Sequence, residues 1–378
     1  MASYVLVSGD FVKTGGMDRA NYALATYLVD RGDDVHLVAY RIAEDLLARP
    51  NMKFHRVPKP LGSYLLAEPL LDRIGRKVAA QVSVQGGRVV VNGGNCHWPD
   101  VNWMHHIHAA DAPISGGSLP RRLFTRLAYR IHCAQEKRTI PIAKLVITTC
   151  EQTRLDTLKK IGGDPERTKP VYLGVDAAIF HPPSGPDERS AIRASLGWPE
   201  DRPKVAFVGA LGDRRKGFDR LFAAWVELCK DPSWDVDLVV VGRGADVPIW
   251  KAKTADLDLA KRIAFLGFVP NLADIYRAAD AHCLPSRYEG YSLVTQEALA
   301  CGTPAFVSLA SGISERYPKN LEQLLIPDPE NVSDLVRRLK TWRERMAEYR
   351  EAVAPLSDLL RATTWEVMAA RMVELIES

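Results

Sequence analysis

The sequence predicts an α/β protein of two successive Rossmann-like domains, each a parallel sheet covered by helices. Three observations predict it. Short apolar runs alternate with helix-length amphipathic stretches along most of the chain. The alternation is interrupted by a Pro- and Gly-rich stretch and then restarts. A length of 378 residues suits two or three domains. Alternation of strand and helix favours parallel strands, since each crossover lays a helix on the sheet.

Taken in order, "YVLVSG" reads as the first strand, followed by a helix over 18–31 in which Ala20, Leu24, Tyr27 and Leu28 share one face. "DVHLVAY", "RVVVN" and "KLVITT" are further strands, and "EQTRLDTLKKIGG" is a helix. The stretch "HPPSGPDERS", from His181, reads as a linker or surface loop. Beyond it come "KVAFVG", a helix over 218–230, "DLVVVG", "RIAFLG" and a helix over 271–279. A strand "AHCLP", a tight loop, a helix in "SLVTQEALACG" and a strand "TPAFVS" follow, with Ser292 as N-cap and Gly302 as stop. In the last helix, "TTWEVMAARMVELIES", Trp365, Met368, Met372 and Ile376 lie near one face.

Composition narrows the classes. With 47% apolar and 25% charged residues the chain is ordinary globular protein, and no apolar run reaches the roughly 18 residues of a membrane span. "MASYVLVSGD" lacks a basic region before its apolar residues and reads as a strand, not a signal peptide. Cysteines 96, 133, 150, 229, 283 and 301 form no close pair, which argues against a metal knuckle or disulfide framework and for a reducing cytosol. Charge is divided: residues 1–172 hold 24 Lys and Arg against 16 Asp and Glu, a net of +8, leaving −4 for the rest. Arg121, Arg122, Arg126 and Arg130 crowd one helix, "PRRLFTRLAYRIHCA", with Leu123, Leu127 and Ile131 among them. A solvated basic face is the plain reading; an anionic lipid or acceptor surface on the inner face of a membrane is the functional one. Nothing points to nucleic acid.

The chemistry concentrates in "SRYEGYSLVTQEALACGTPAFVS". In a parallel sheet the loop after a strand lies where ligands bind. Backbone amides of Gly290, Tyr291, Ser292 and Leu293 open a helix there and favour a phosphate. Glu297, about one turn on, is placed to reach a ribose, and Glu289 a sugar at the other end of a diphosphate. Alone, each is more simply a solvated surface glutamate. Lys216, in the loop "DRRKGFD", is placed to meet that diphosphate. Gly15 and Gly16 follow the first strand and let a ligand approach the backbone, or else simply make a tight turn. No G-x-G-x-x-G occurs, which disfavours a nicotinamide cofactor. In "DVNWMHHIHAAD", His106 and His108 would share one strand face, with His105 on the other beside Val101 and Trp103; no zinc spacing accompanies them. "WDVDLVV" contains D-x-D, but Asp235 and Asp237 run into a buried-looking strand, so no metal is expected.

These words in order, with "TGGMDRANYALATYLVDRGDDVHLV", "VYLGVDAAIFHP", "VAFVGALGDRRKGFDRLFAAW", "LVVVGRG", "IAFLGFV" and "YRAADAHCLPS", resemble the retaining glycosyltransferases of family 4 over nearly the whole chain. The pair Glu289 and Glu297 matches their E-x7-E signature. The resemblance implies the GT-B fold, two Rossmann-like domains facing each other across a cleft. Residues 1–172 would form the acceptor side, with helix 363–378 packing back onto it, and 173–362 the nucleotide-sugar domain. It implies a UDP-, GDP- or other nucleotide-sugar donor, no cofactor, and a glycan, glycolipid or small-molecule acceptor. Gly15 and Gly16 would lie against the donor, and Lys216 against its diphosphate. His105, or His108 in reserve, would contact the sugar or acceptor. The family's arginine after the strand-end glycine is here Ala210, so Arg214 or Arg215 is expected to substitute. Because of that departure, a nucleotide-sugar epimerase and a non-catalytic sugar-nucleotide-binding protein stand as alternatives.

Overall fold

The computed structural model describes residues 2–112 and 119–378. The chain divides into two compact units, Met1–Gly174 with Thr363–Ser378, and Val175–Ala362. In the first, the described strands are β1 (Ser3–Val7), β2 (Asp10–Phe11), β3 (Asp34–Ala39), β4 (Arg41–Ile42), β5 (Met52–Arg56), β6 (Arg88–Asn92), β7 (Val101–Met104), β8 (Leu145–Thr148) and β9 (Thr168–Pro170). Seven of them make one parallel sheet in the order β5-β3-β1-β6-β7-β8-β9, and β2 pairs separately with β4. Val5, Val7, Val89 and Val91 of β1 and β6 pack on Ala67, Leu71, Val78 and Val82 of the helix Tyr64–Ser83. Central parallel strands are covered on both faces, which is why β1 reads as an unbroken apolar run.

The helix Trp365–Glu377 belongs to this first unit. It buries Met368, Met372 and Ile376 and packs against the helix Gly16–Asp30. Its end is fixed by Glu377, which accepts from the Tyr4 hydroxyl at 2.7 Å and pairs with Arg31 at 2.6 Å. Its start presses on Gly174, where a Cβ would meet the Trp365 nitrogen at 2.4 Å. Only glycine fits there.

In the second unit β10 (Lys204–Val208), β11 (Asp237–Val241), β12 (Ile263–Gly267), β13 (Ala281–Leu284), β14 (Ala305–Ser308) and β15 (Leu325–Ile326) form a parallel sheet in the order β12-β11-β10-β13-β14-β15. β10, β11, β13 and β14 are buried at every position. In both sheets the strand order reverses once, between β1 and β6 and between β10 and β13. Loops leaving the carboxyl ends of strands at such a point diverge and open a crevice for ligands.

Two local expectations are corrected. The stretch from His181 is not loop throughout: Pro186–Ser195 is a helix with Pro186 in its first turn, where the missing N–H costs nothing. β7 stops at Met104, so strand alternation does not govern His105, His106 and His108, and His108 opens a short 3-10 turn.

Candidate active site in the second unit

Two loops of the second unit flank the β10/β13 reversal. The loop after β10 carries Arg214–Lys216 as a 3-10 turn, ending at Gly217 with φ +70 before the helix Phe218–Leu228. A Cβ on Gly217 would stand 1.8 Å from the Pro285 carbonyl oxygen, so this turn rests directly on the backbone of the loop after β13. Arg287 fastens the contact. Its amide donates to the Arg215 carbonyl at 2.7 Å, and its guanidinium grips both carboxylate oxygens of Asp219, at 2.8 and 2.9 Å. That fork-to-fork pairing raises the arginine's pKa and lowers that of Asp219, against the cost of burial.

The result brings Lys216, Arg215 and Glu289 together. Lys216 Nζ lies 2.6 Å and Arg215 Nη1 3.1 Å from Glu289 Oε1, and the Ser286 hydroxyl lies 3.4 Å from the same oxygen. The Glu289 side chain is only 8% exposed, and these cations offset its burial. Lys216 is therefore paired in this structure, a partner its loop position did not announce. Arg215 shares Glu289 with Lys216, whereas Arg214 is exposed and offers its carbonyl to Arg287.

From Glu289 the chain runs beside the segment after β14: the Glu289 amide donates to the Ala310 carbonyl at 3.0 Å, and Ile313 donates to the Tyr291 carbonyl at 2.9 Å. Gly290, Tyr291, Ser292 and Leu293 then lead into the helix Leu293–Ala300. Ser292 occupies the N-cap position but does not cap. Its backbone is left-handed, at φ 82 and ψ 79, and its hydroxyl pairs with that of Thr295 at 2.9 Å. Glu297, on the same helix, is buried, not a solvated surface residue. Beside it the Tyr276 hydroxyl is also buried, its pKa driven well up by desolvation and then by the Glu297 charge.

Gly15, Gly16 and His105 lie in the first unit. Gly15 has φ +86 and precedes the helix Gly16–Asp30, whose first turn holds Asp18. Asp18 is pushed up to about 6 by burial and by the charge of Asp10. His105 follows β7 with its ring 4.2 Å from that of Trp103, and both ring nitrogens are shielded and unpartnered. Desolvation pushes its pKa down to about 3, so the imidazole is neutral. His108 is instead held by the buried Glu136, which accepts from its ring and its backbone amide at 2.7 and 2.8 Å. Sequence reasoning did not find Glu136, Arg287 or Asp219, whose partners lie 28 to 73 residues away.

The D-x-D carboxylates are engaged elsewhere. Asp237 meets Lys204 at 2.6 Å, Arg202 at 2.9 Å and Arg262 at 3.0 Å, while Asp235 is bound by Arg343. Among the described residues no group of three or more His, Cys, Asp or Glu is arranged to hold a metal ion.

Comparison with known proteins follows the same division. Residues 14–179 match the model of Glycosyltransferase Family 4, and 188–354 that of Glycosyl transferases group 1. Solved structures share the architecture: sucrose-phosphate synthase from Thermosynechococcus elongatus superposes with a TM-score of 0.76 at 21% identity, covering 100% of this chain and 98% of that one. Anabaena HepE in complex with UDP and glucose gives 0.73 at 20% identity over 100% of both. The fold is GT-B. D-inositol 3-phosphate glycosyltransferase of Thermomonospora curvata is 30% identical over 294 residues, 73% of this chain and 65% of that protein. Its counterpart in Kineococcus radiotolerans is 31% identical over 57% of this chain and 50% of its own. The chain thus spans between half and two thirds of these relatives' length. It belongs to the glycosyltransferases of family 4.

Proposed function

We propose that this protein transfers a glycosyl group from a nucleoside-diphosphate sugar to an acceptor hydroxyl, with retention at the anomeric carbon and without a metal. The observation that carries it is the convergence of Lys216 and Arg215 on Glu289, beside a helix start that the Ser292 side chain does not cap. Departure of a nucleoside diphosphate leaves concentrated negative charge. Fixed cations and amides stabilise it with no reorganisation at the moment of reaction. On binding, the two cations would turn part of their charge from Glu289 to the diphosphate. Glu289 would then orient the sugar through a hydroxyl. Glu297 would accept the ribose hydroxyls, and the leaving phosphate would take the acceptor's proton. The D-inositol 3-phosphate relatives and the UDP and glucose held by HepE are compatible with this donor class. For the acceptor we propose an anionic or membrane-associated glycan, met by the basic first unit.

The test is a panel of nucleotide sugars assayed for binding, slow hydrolysis and transfer, with and without EDTA. Turnover with EDTA present is expected. Activity lost to chelator and restored by manganese or magnesium would overturn the metal-free mechanism, and isomerisation of the donor with no acceptor would make the protein an epimerase. Glu297→Ala should weaken nucleotide binding by about 1–3 kcal/mol, the cost of leaving hydroxyls without a charged acceptor. Unchanged affinity would remove the ribose role.

A further inference from the structure

The loops that carry Lys216 and Glu289 leave the carboxyl ends of β10 and β13. The amino ends of the same two strands, about 13 Å of strand away, hold a separate cluster of charge. Asp280, one residue before β13, accepts from the Lys204 amide at the start of β10 at 2.8 Å. Its side chain is 10% exposed, and three guanidinium groups converge on it. Arg189 and Arg193 of the helix Pro186–Ser195 lie at 2.7 and 3.3 Å, and Arg350 of the helix Met346–Ala362 at 3.7 Å.

One carboxylate does not balance three cations. Glu200 stands 3.6 Å from Arg193, but it is exposed and water screens it. The Ala278 and Ala279 carbonyls, at the end of the helix Leu272–Ala278, accept from the three arginines and supply at most about half a negative charge. The neighbouring strand cannot make up the difference. Asp237, at the start of β11, is itself met by Lys204, Arg202 and Arg262. Arg350 is the least satisfied of the cluster: it spends one N–H on a carbonyl and lies beyond hydrogen-bond reach of Asp280. Burial, and then the Arg189 charge, hold its pKa below the ordinary value. Arg189 Nε is buried without a partner. The Arg350 and Arg189 side chains are 34% and 21% exposed, so a solute can reach both.

We infer that Arg189 and Arg350 form an anion site, apart from the donor loops, that takes a divalent oxyanion of the phosphate class. Guanidinium forks give paired N–H groups to such an oxyanion, and its charge offsets the local excess. Bound there, it ties the helix Pro186–Ser195 to the helix Met346–Ala362 across the amino edge of the sheet whose carboxyl edge carries Lys216 and Glu289. A clamp built only for structure predicts the opposite behaviour of Arg350. Removing a clamp lowers stability, whereas removing a cation opposed by burial and by like charges does not.

Calorimetric titration of the intact protein with inorganic phosphate, beside melts in phosphate and in chloride at equal ionic strength, tests it. The parent should bind phosphate, and at about five times the dissociation constant its Tm should rise by about 2–4 °C. Arg350→Met keeps the packing of the stem. Its Tm in chloride should equal or exceed the parent's, and its phosphate affinity should fall roughly tenfold or more. Arg350→Lys should recover part of that affinity, since it restores the charge without the fork. Lys216→Ala should keep the phosphate-dependent rise. Glucose 6-phosphate, titrated in parallel, separates a site for the free ion from one open to a phosphate carried on a sugar; either, if lost in Arg350→Met, supports the inference. A parent that takes up neither overturns it, as does a lower Tm of Arg350→Met in chloride, the mark of a structural clamp. A rise that Arg350→Met keeps is a general salt effect or, if Lys216→Ala loses it, belongs to the donor loops, and overturns it equally.

Discussion

Glu289 is one carboxylate between two cations, and that imbalance decides what each substitution does. Removing Lys216 leaves Arg215 at 3.1 Å, so the buried carboxylate keeps a partner and the fold should hold. What is lost is a charge aimed at the departing diphosphate. Lys216→Ala is therefore expected to lower kcat by about 10²–10³ with little change in Tm, by analogy with deleting one preorganised donor; steady-state kinetics beside a thermal melt checks both. Glu289→Gln should do the reverse, removing the carboxylate that competes for Lys216 and Arg215, so that free nucleotide is held at least as tightly while turnover falls. A second residue-scale expectation concerns Asp18. Its folded pKa, about 6, stands above the ordinary 3.8, so the folded state holds this proton more tightly than the unfolded chain does. The destabilisation is absent below about pH 4, grows as pH rises toward 6, and is constant above that. Compared with Asp18→Asn, the parent should lose Tm steadily between pH 4 and 6 and run parallel to it at higher pH. Parallel curves over the whole range would show that Asp18 titrates normally.

The loops after β10 and β13 act as one element because backbone touches backbone at Gly217. Alanine there must displace either the Lys216 turn or the Pro285 carbonyl, which its Cβ would approach to 1.8 Å. Gly217→Ala is expected to lower Tm and to reduce turnover as severely as Lys216→Ala. Gly302 supplies the control: its φ is +72, but a Cβ would meet only Pro182, at 3.4 and 3.5 Å. Gly302→Ala should cost about 1 kcal/mol, the left-handed penalty alone, and spare activity. If both behave alike, loop-to-loop contact is not what Gly217 provides. Much of this element was legible in the sequence: buried parallel strands are continuous apolar runs, and the loops between such a strand and a helix stand out as Gly- and charge-rich words. Lys216 and Glu289 could be singled out that way. That they touch could not, since 73 residues separate them and only the strand order β10-β13 brings their loops side by side. Nor could the Ser292 backbone, because serine before a helix ordinarily caps it. The helix opened by Pro186 was hidden by prolines and glycine that serve equally for a loop.

At the scale of the molecule the +8 against −4 division acquires a location. The helix Leu119–Thr139 in the first unit exposes Leu119, Leu123, Phe124 and Leu127 by 55–69%, and Arg122, Arg126 and Arg130 are exposed on the same helix. The side chain of Arg121 lies outside the described ones. Spaced at four residues, the arginines form a row beside the apolar stripe. Its other side is anchored: His132 meets Glu68 at 3.0 Å, and Glu136 is buried against His108. Exposed leucines flanked by a row of guanidinium groups suit the boundary between anionic headgroups and acyl chains. No described helix is long and apolar enough to cross a membrane, so contact of this kind would be peripheral. We therefore expect the protein to sediment with anionic vesicles at low salt, and to be released as salt rises, since surface charge is screened beyond about 8 Å at physiological ionic strength. Replacing Arg121, Arg122, Arg126 and Arg130 by glutamine should abolish sedimentation while leaving nucleotide titrations unchanged. Leu123→Ser with Phe124→Ser should weaken it without altering the salt dependence, because those side chains contribute buried area and no charge. Indifference of the parent protein to anionic vesicles at low salt would remove the membrane from the acceptor proposal and leave a soluble oligosaccharide or small-molecule acceptor, met by the same basic unit.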